Sequence, residues 1–175
     1  MIERFIPQTR NLIAVAAREA RTLGARSVGD EHFILAIVVE MPLLLMLPAH
    51  PAPWLEAEVP SVNEARALLR RDTRDALAAL GISLDEIESR VEATFGADAW
   101  AEAAATSRIR FSHEGKRALE LALRRAQRSR RRQVVVSDVL SGALEIEGRG
   151  RRLLVQMGVD VEELEHRLAM TQLVV

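Results

Sequence analysis

The chain is expected to be all-α: an eight-helix bundle of two four-helix repeats related by a pseudo-twofold axis. Three observations predict this. Alanine, leucine, arginine and glutamate dominate its 175 residues while aromatics reach only 3%, a balance that favours helix over sheet. Apolar positions recur at helical spacing between glycines and capping residues. The third observation is a diverged duplication. Phe5, Ala16, Arg18, Ala20, Arg26 and Val28 return 106 residues later as Phe111, Ala122, Arg124, Ala126, Arg132 and Val134. Leu77, Leu80, Gly81, Glu86, Glu88 and Arg90 return 77 residues later as Leu154, Met157, Gly158, Glu163, Glu165 and Arg167. Events keep their order in both halves, which marks a repeat of helical units sharing a groove rather than a single-copy catalytic site.

Each element has its own signal. Residues 8–23 place Leu12, Ile13, Ala16, Ala17, Ala20 and Leu23 on one stripe, with Pro7 at the first helical position and Gly24 at the stop. Gly29-Asp30 opens a second helix, with Asp30 as acceptor for first-turn amides and Phe33, Ile34, Ile37 and Val38 facing the core. Residues 41–60 hold five prolines and read as an irregular excursion. Asn63 can cap a helix reaching Leu80, Gly81 ends it, and Ser83 or Asp85 starts the next, with Leu84, Ile87 and Val91 in line. In the second half Ser112 caps a helix bearing Ala118, Leu119, Ala122, Leu123 and Ala126, and Ser137 or Asp138 caps the following one. Gly148-Arg-Gly150 interrupts, a short helix runs to Met157, Gly158 stops it, and Asp160 caps a last helix with Val161, Leu164 and Leu168. Only Val134–Val136 looks strand-like, too short to build a sheet. The boundaries expected are 1–95 for repeat one, with a Pro-rich insertion at 41–62, 96–110 for a linker and 111–170 for repeat two, all in one domain spanning 1–175.

Composition excludes several classes. A formal net charge of −1 supplies no global field to recruit nucleic acid or membrane. Without cysteine there are no disulfides or thiolate metal sites, which agrees with a cytoplasmic location. The start, Met1-Ile-Glu-Arg-Phe5, lacks the basic and apolar regions of a secretory signal. Residues 33–49 are apolar for nearly a membrane-spanning length, but Glu40 and Pro42 interrupt them, so a buried helix followed by an apolar loop is expected.

The run Arg4-Phe5, Ala16-Ala17-Arg18-Glu19-Ala20, Leu23-Gly24 and Val28-Gly29-Asp30-Glu31-His32-Phe33-Ile34-Leu35, with the Leu80-Gly81-Ile82 turn, resembles the Clp repeat of the amino-terminal domain of Clp ATPases, nearest to the ClpC and ClpA branch. That resemblance implies an eight-helix pseudo-twofold bundle that captures substrates and adaptor proteins, in some branches through phosphorylated arginine recognised by the acidic residue of a Gly-Thr-Glu-His motif. The matching position is Glu31, with His32 beside it and Asp30 replacing the threonine. The second repeat carries Val136-Ser137-Asp138 there instead, which puts a second such pocket in doubt. No phosphate-cradling Gly-x-x-x-x-Gly-Lys-Ser/Thr loop occurs, so the resemblance is to the receptor domain without the ATPase module.

Four sets of candidates follow. Asp30, Glu31 and His32 form an acidic corner at a helix start, where Glu31 can accept a guanidinium fork, or serve only as a first-turn acid beside a packed histidine. Phe5 and Phe111 are expected as apolar edges of the ligand groove. Arg124, Arg128 and Arg131 share one helix face; they either contact an anionic partner or form a solvated face, and nucleic acid is disfavoured because no aromatics interleave. Leu45, Met46 and Trp54 lie in the apolar loop, which either packs on its own bundle or contacts a partner, a homodimer mate included. No catalytic residues, metal or cofactor are assigned, since His32, His50, His113 and His166 are scattered and no serine sits in a nucleophile elbow. The reading is a non-catalytic, cytoplasmic receptor for proteins or peptides of the Clp system: substrate, adaptor or the ATPase itself. The alternatives are an arginine-rich nucleic-acid-binding or regulatory protein and a structural oligomer built through the loop.

Overall fold

Proline at a helix start and glycine at its end bracket the first element, α1 (Pro7–Thr22): Pro7 fills the first turn, and Gly24 turns the chain out at φ +68°. The computed structural model describes residues 4–45, 61–96 and 109–170, and seven further helices follow among them. These are α2 (Asp30–Glu40), α3 (Val62–Ala78), α4 (Leu84–Phe95), α5 (His113–Arg128), α6 (Val136–Leu144), α7 (Arg149–Gln156) and α8 (Val161–Met170). A 3-10 turn spans Pro42–Leu44. Gly81 and Gly158 adopt φ +74° and +75° and stop α3 and α7, as their repeated position requires.

The centre of the bundle is α2. Every residue from Asp30 to Val38 is buried, so the helix has no solvent face and touches α1, α3, α5, α6 and α7. That explains the long apolar run. Among the described residues no helix is long and apolar enough to cross a membrane. Phe33, Ile34, Leu35 and Ile37 are fully buried and each contributes about 1.5–3 kcal/mol of apolar burial. Leu45, considered above as a partner contact, joins this core at 5% exposure, so the loop begins by packing on its own bundle. Met46 and Trp54 lie outside the described residues.

The two halves exchange short extended segments. Phe5 bridges to Val134 in parallel, while Ser27–Val28 (β1) pairs in parallel with Arg110–Phe111 (β2). Each partner pair is thus the other shifted by the duplication offset. The residue that seals the exposed carbonyl differs: Thr9 donates its hydroxyl to Val134 O at 3.0 Å, and its counterpart Gly115 leaves room for Val28 O, into which a Cβ would run. Gly142 likewise lets α6 lie against the backbone of α5 at Ala118.

Two caps differ from expectation. Ser61, not Asn63, starts α3, its hydroxyl accepting from the Glu64 N–H. Neither Ser137 nor Asp138 occupies the first position of α6. The helix begins at Val136 with Val135 as its cap, and Asp138 reaches back from the third helical residue to accept the Val135 N–H at 3.0 Å.

The last helix pairs of the halves part company. In α7 and α8, Leu153, Leu154, Val161, Leu164 and Leu168 are buried at 3% exposure or less. Their counterparts in α3 and α4 are open: Leu77, Leu84 and Val91 are half-buried and Ile87 is 38% exposed. Only Ala65 and Leu69 anchor α3 in the core, and no described side chain of α4 is buried. A bidentate pair from Arg66 to the buried Glu19, at 2.8 and 2.9 Å, ties α3 to α1.

Candidate functional site

The acidic corner sits where the first half meets the second. Gly29 caps α2, and His32, three residues on, turns its Nδ1 back to accept the Gly29 N–H at 3.0 Å. An accepting Nδ1 requires a neutral imidazole. Burial, and then the charge of Arg149, push the His32 pKa down to about 4 against the opposing pull of Asp30 and Glu19. The 3.5 Å approach of Glu31 to His32 Nδ1 is therefore not an ion pair at neutral pH.

Asp30 does not cap its own helix, as the sequence suggests, but another one. Its Oδ2 accepts the Gly150 N–H of α7 at 2.8 Å, supplying the side-chain acceptor that the cap residue Gly148 lacks. Burial, opposed by that amide and reinforced by the neighbouring Glu31, pushes the Asp30 pKa up to about 6, so the carboxylate is ionised at neutral pH at the positive end of α7. A Cβ at Gly148 or Gly150 would strike this carboxylate, which explains the glycines either side of Arg149.

Glu31 is 7% exposed, and Arg149 lies beside it with Nη1 3.5 Å from Oε1. The other guanidinium nitrogen donates to Thr73 Oγ1 at 3.0 Å and Leu69 O at 3.3 Å, so one arginine of α7 clasps α2 and α3. Beyond this clasp opens a groove of about 640 Å³ between the halves, lined by Ser27, Glu31, Ser112, His113, Arg117 and Arg149 among others. Glu31 and Arg149 line this groove and also a second cleft on the side of α3, so the carboxylate meets solvent space on both sides with a guanidinium already in place.

The remaining candidates divide. Phe5 is 3% exposed in the core, and Phe111 is half-buried, stacked on Phe33 with centroids 6.2 Å apart. Phe5 therefore cannot edge a groove, because its strand exchange with Val134 turns it inward. Arg131 is not free for an anion: it forms a bidentate pair with the fully buried Asp138 at 2.9 and 2.6 Å. Arg124 and Arg128 remain exposed on α5. No three metal-ligating side chains converge among the described residues. Sequence reasoning missed Arg149, marking Gly148-Arg-Gly150 only as an interruption. The usable signal was the pair of glycines, which leaves a helix start open to a side chain from elsewhere.

In its all-α fold the chain is Clp N-domain-like. The comparisons agree. Over 169 residues the chain is 24% identical to the negative regulator of genetic competence ClpC/MecB of Bacillus subtilis, covering 96% of this chain and 17% of that protein. It therefore spans about a sixth of that relative's length. The fold matches the crystal structure of the N-terminal domain of the caseinolytic-protease-associated chaperone ClpD from Arabidopsis thaliana, with a TM-score of 0.62 at 18% identity over 99% of both chains. A structure from a study of a malarial protein secretion system matches at TM-score 0.53 and 15% identity, over 97% of this chain and 95% of that one. No protein-family model matches the chain.

Proposed function

We propose that the chain is a non-catalytic polypeptide-binding domain that works with a Clp-type machine in the cytoplasm, capturing substrates, adaptors or small ligands of that system. The observation that carries this reading is the likeness to ClpC/MecB across nearly the whole chain; the resemblance of Gly29-Asp30-Glu31-His32 to the family's acidic motif supports Glu31 as its acidic residue. The geometry is compatible with it: Glu31 sits at the edge of the inter-half groove and already accepts a guanidinium from Arg149. An arginine-bearing ligand, phosphorylated or not, would exchange with Arg149 for the same carboxylate.

Two measurements test this. Purified protein is used to recover partners from native extract, and a Clp ATPase or a Clp adaptor is the expected enrichment. Separately, phosphoarginine peptides are titrated by calorimetry; Glu31→Gln should weaken them by about tenfold or more, with partial rescue by Glu31→Asp. If neither a Clp component nor such a peptide binds the intact protein, the reading fails.

A further inference from the structure

Along the first half runs a cleft of about 910 Å³, bounded by the end of α1, by β1, and by α3 and α4. From the apolar stripe of α4, Leu84 lines it, at the position where the corresponding α8 closes Val161 onto the core. Its lining carries six arginines against three glutamates. Three of the arginines are engaged: Arg74 pairs with Asp85, Arg149 with Glu31, and Arg21 has a partner of its own. Arg18 of α1, Arg26 just before β1 and Arg70 of α3 reach it and make no ion pair or side-chain hydrogen bond among the described residues. Between them Leu23, Leu69 and Leu84 give an apolar floor.

Forked donors held around an apolar floor match carboxylates carried on an apolar-containing chain. From this we infer that the cleft between α1–β1 and α3–α4 is a docking site for an acidic polypeptide segment, bound by Arg18, Arg26 and Arg70. The inference rests on the reading of the chain as a polypeptide-binding domain, and names the chemistry of one partner. Nucleic acid fits the cleft less well. Its phosphodiester backbone has no donor to meet Glu88 and Glu92, whereas peptide N–H groups supply one, and no Phe, Tyr or Trp lines the cleft among the described side chains.

The test uses fluorescence anisotropy with the full chain and three labelled probes: a synthetic peptide of Glu, Asp and Leu, its Gln/Asn counterpart, and oligothymidylate. The acidic peptide should bind with a steep loss on adding salt, and the amide peptide should bind at least about tenfold more weakly. The double variant Arg18→Glu/Arg70→Glu should lose binding by about tenfold or more, while Arg124→Glu/Arg128→Glu, with the same change in charge, should not. Arg26→Glu alone gives a milder second probe if the double variant melts early by circular dichroism. No binding of the acidic peptide, equal binding of the amide peptide, equal losses in both double variants, or tighter binding of oligothymidylate through the same arginines would each overturn the inference. The extract pull-down and the phosphoarginine titration keep the two proposals apart: acidic-peptide binding by a protein that recovers no Clp component and binds no phosphoarginine peptide removes only the functional reading, and recovery of a Clp component by a protein that binds no acidic peptide removes only this inference.

Discussion

The chain carries the same two-helix unit twice, once closed and once open. In α7–α8 the apolar positions Val161, Leu164 and Leu168 meet the core; in α3–α4 their counterparts Leu84, Ile87 and Val91 stay partly or largely exposed, and Leu84 lines the cleft. The residues are of the same kind at the same spacing, so hydrophobicity does not decide the outcome. What differs is the tie to the rest of the bundle. The second unit is held at both ends: α7 starts on the Asp30 carboxylate, and Arg125 of α5 reaches the Leu168 carbonyl of α8 at 3.4 Å. In the first half the residue matching Arg125 is Glu19, which engages Arg66 of α3 and not α4; the ion pair that α4 makes outside itself among the described residues is the exposed Arg74–Asp85 pair to α3. A duplicated pattern thus becomes part of the core in one copy and an open unit beside a cleft in the other.

The largest expected effect probes that contrast directly. Leu164→Ala removes a side chain that is 2% exposed and should cost about 2–5 kcal/mol in urea unfolding. Ile87→Ala, at the matching position and 38% exposed, should cost less than about 1 kcal/mol. Equal costs would mean that α4 is closed in solution.

This contrast also marks what the sequence could show. Helix number, order and stops were legible because they rest on local chemistry: Pro7 at a start, Ser83, Ser112 and Asp160 as caps, Gly24, Gly81 and Gly158 at stops. The duplication was legible too, and the exchanged segments follow its offset. The destination of side chains was not. Asp30 reads as a local cap, yet its partner Gly150 is 120 positions away, and Arg131 reads as a free surface charge although it neutralises a buried Asp138. The difference between Leu164 and Ile87 is equally non-local, since either leucine-type position satisfies the same helical stripe.

The junction that closes the second unit can be broken with a single methyl group. In an exposed helix Gly→Ala stabilises by up to about 1 kcal/mol. At Gly150 the added Cβ would press on Asp30 and Ile34, and the expected result is a loss of about 1–3 kcal/mol by thermal or chemical unfolding. A gain in stability there would show that α7 does not dock on the corner as closely as the geometry requires.

The corner also sets a pH response. Asp30 is held at about 6 against an ordinary 3.8, so the folded state keeps a proton that the unfolded chain has lost; this stabilisation is full below pH 3.8 and is lost as pH rises through about 6. His32, held at about 4 against 6.5, acts oppositely: its contribution is full above pH 6.5 and is lost as pH falls through about 4. The two slopes oppose between pH 4 and 6. Relative to the parent, Asp30→Asn should therefore gain stability as pH rises through that range. His32→Gln, which can still accept the Gly29 N–H, should lose it. Urea midpoints for both variants running parallel to the parent across the window would remove this pair as the source.

The smallest effect is the most informative about the open unit. Between α3 and α4 the Arg74–Asp85 pair is half to two-thirds exposed, at 2.7 Å, and such pairs contribute about 0–1 kcal/mol. Arg74→Ala should leave global unfolding within about 0.5 kcal/mol of the parent, because α4 buries none of its described side chains. Local opening is another matter. With few buried contacts, α4 should exchange its amide protons faster than α8 in the parent, and Arg74→Ala should widen that gap without touching α8. Occupation of the cleft by an acidic peptide should narrow it again, since a ligand spanning α1 and α4 supplies the contact that Arg125 and the buried leucines give to α8. An exchange rate in α4 that matches α8 and ignores both the substitution and the peptide would mean that the two copies of the unit are equally closed.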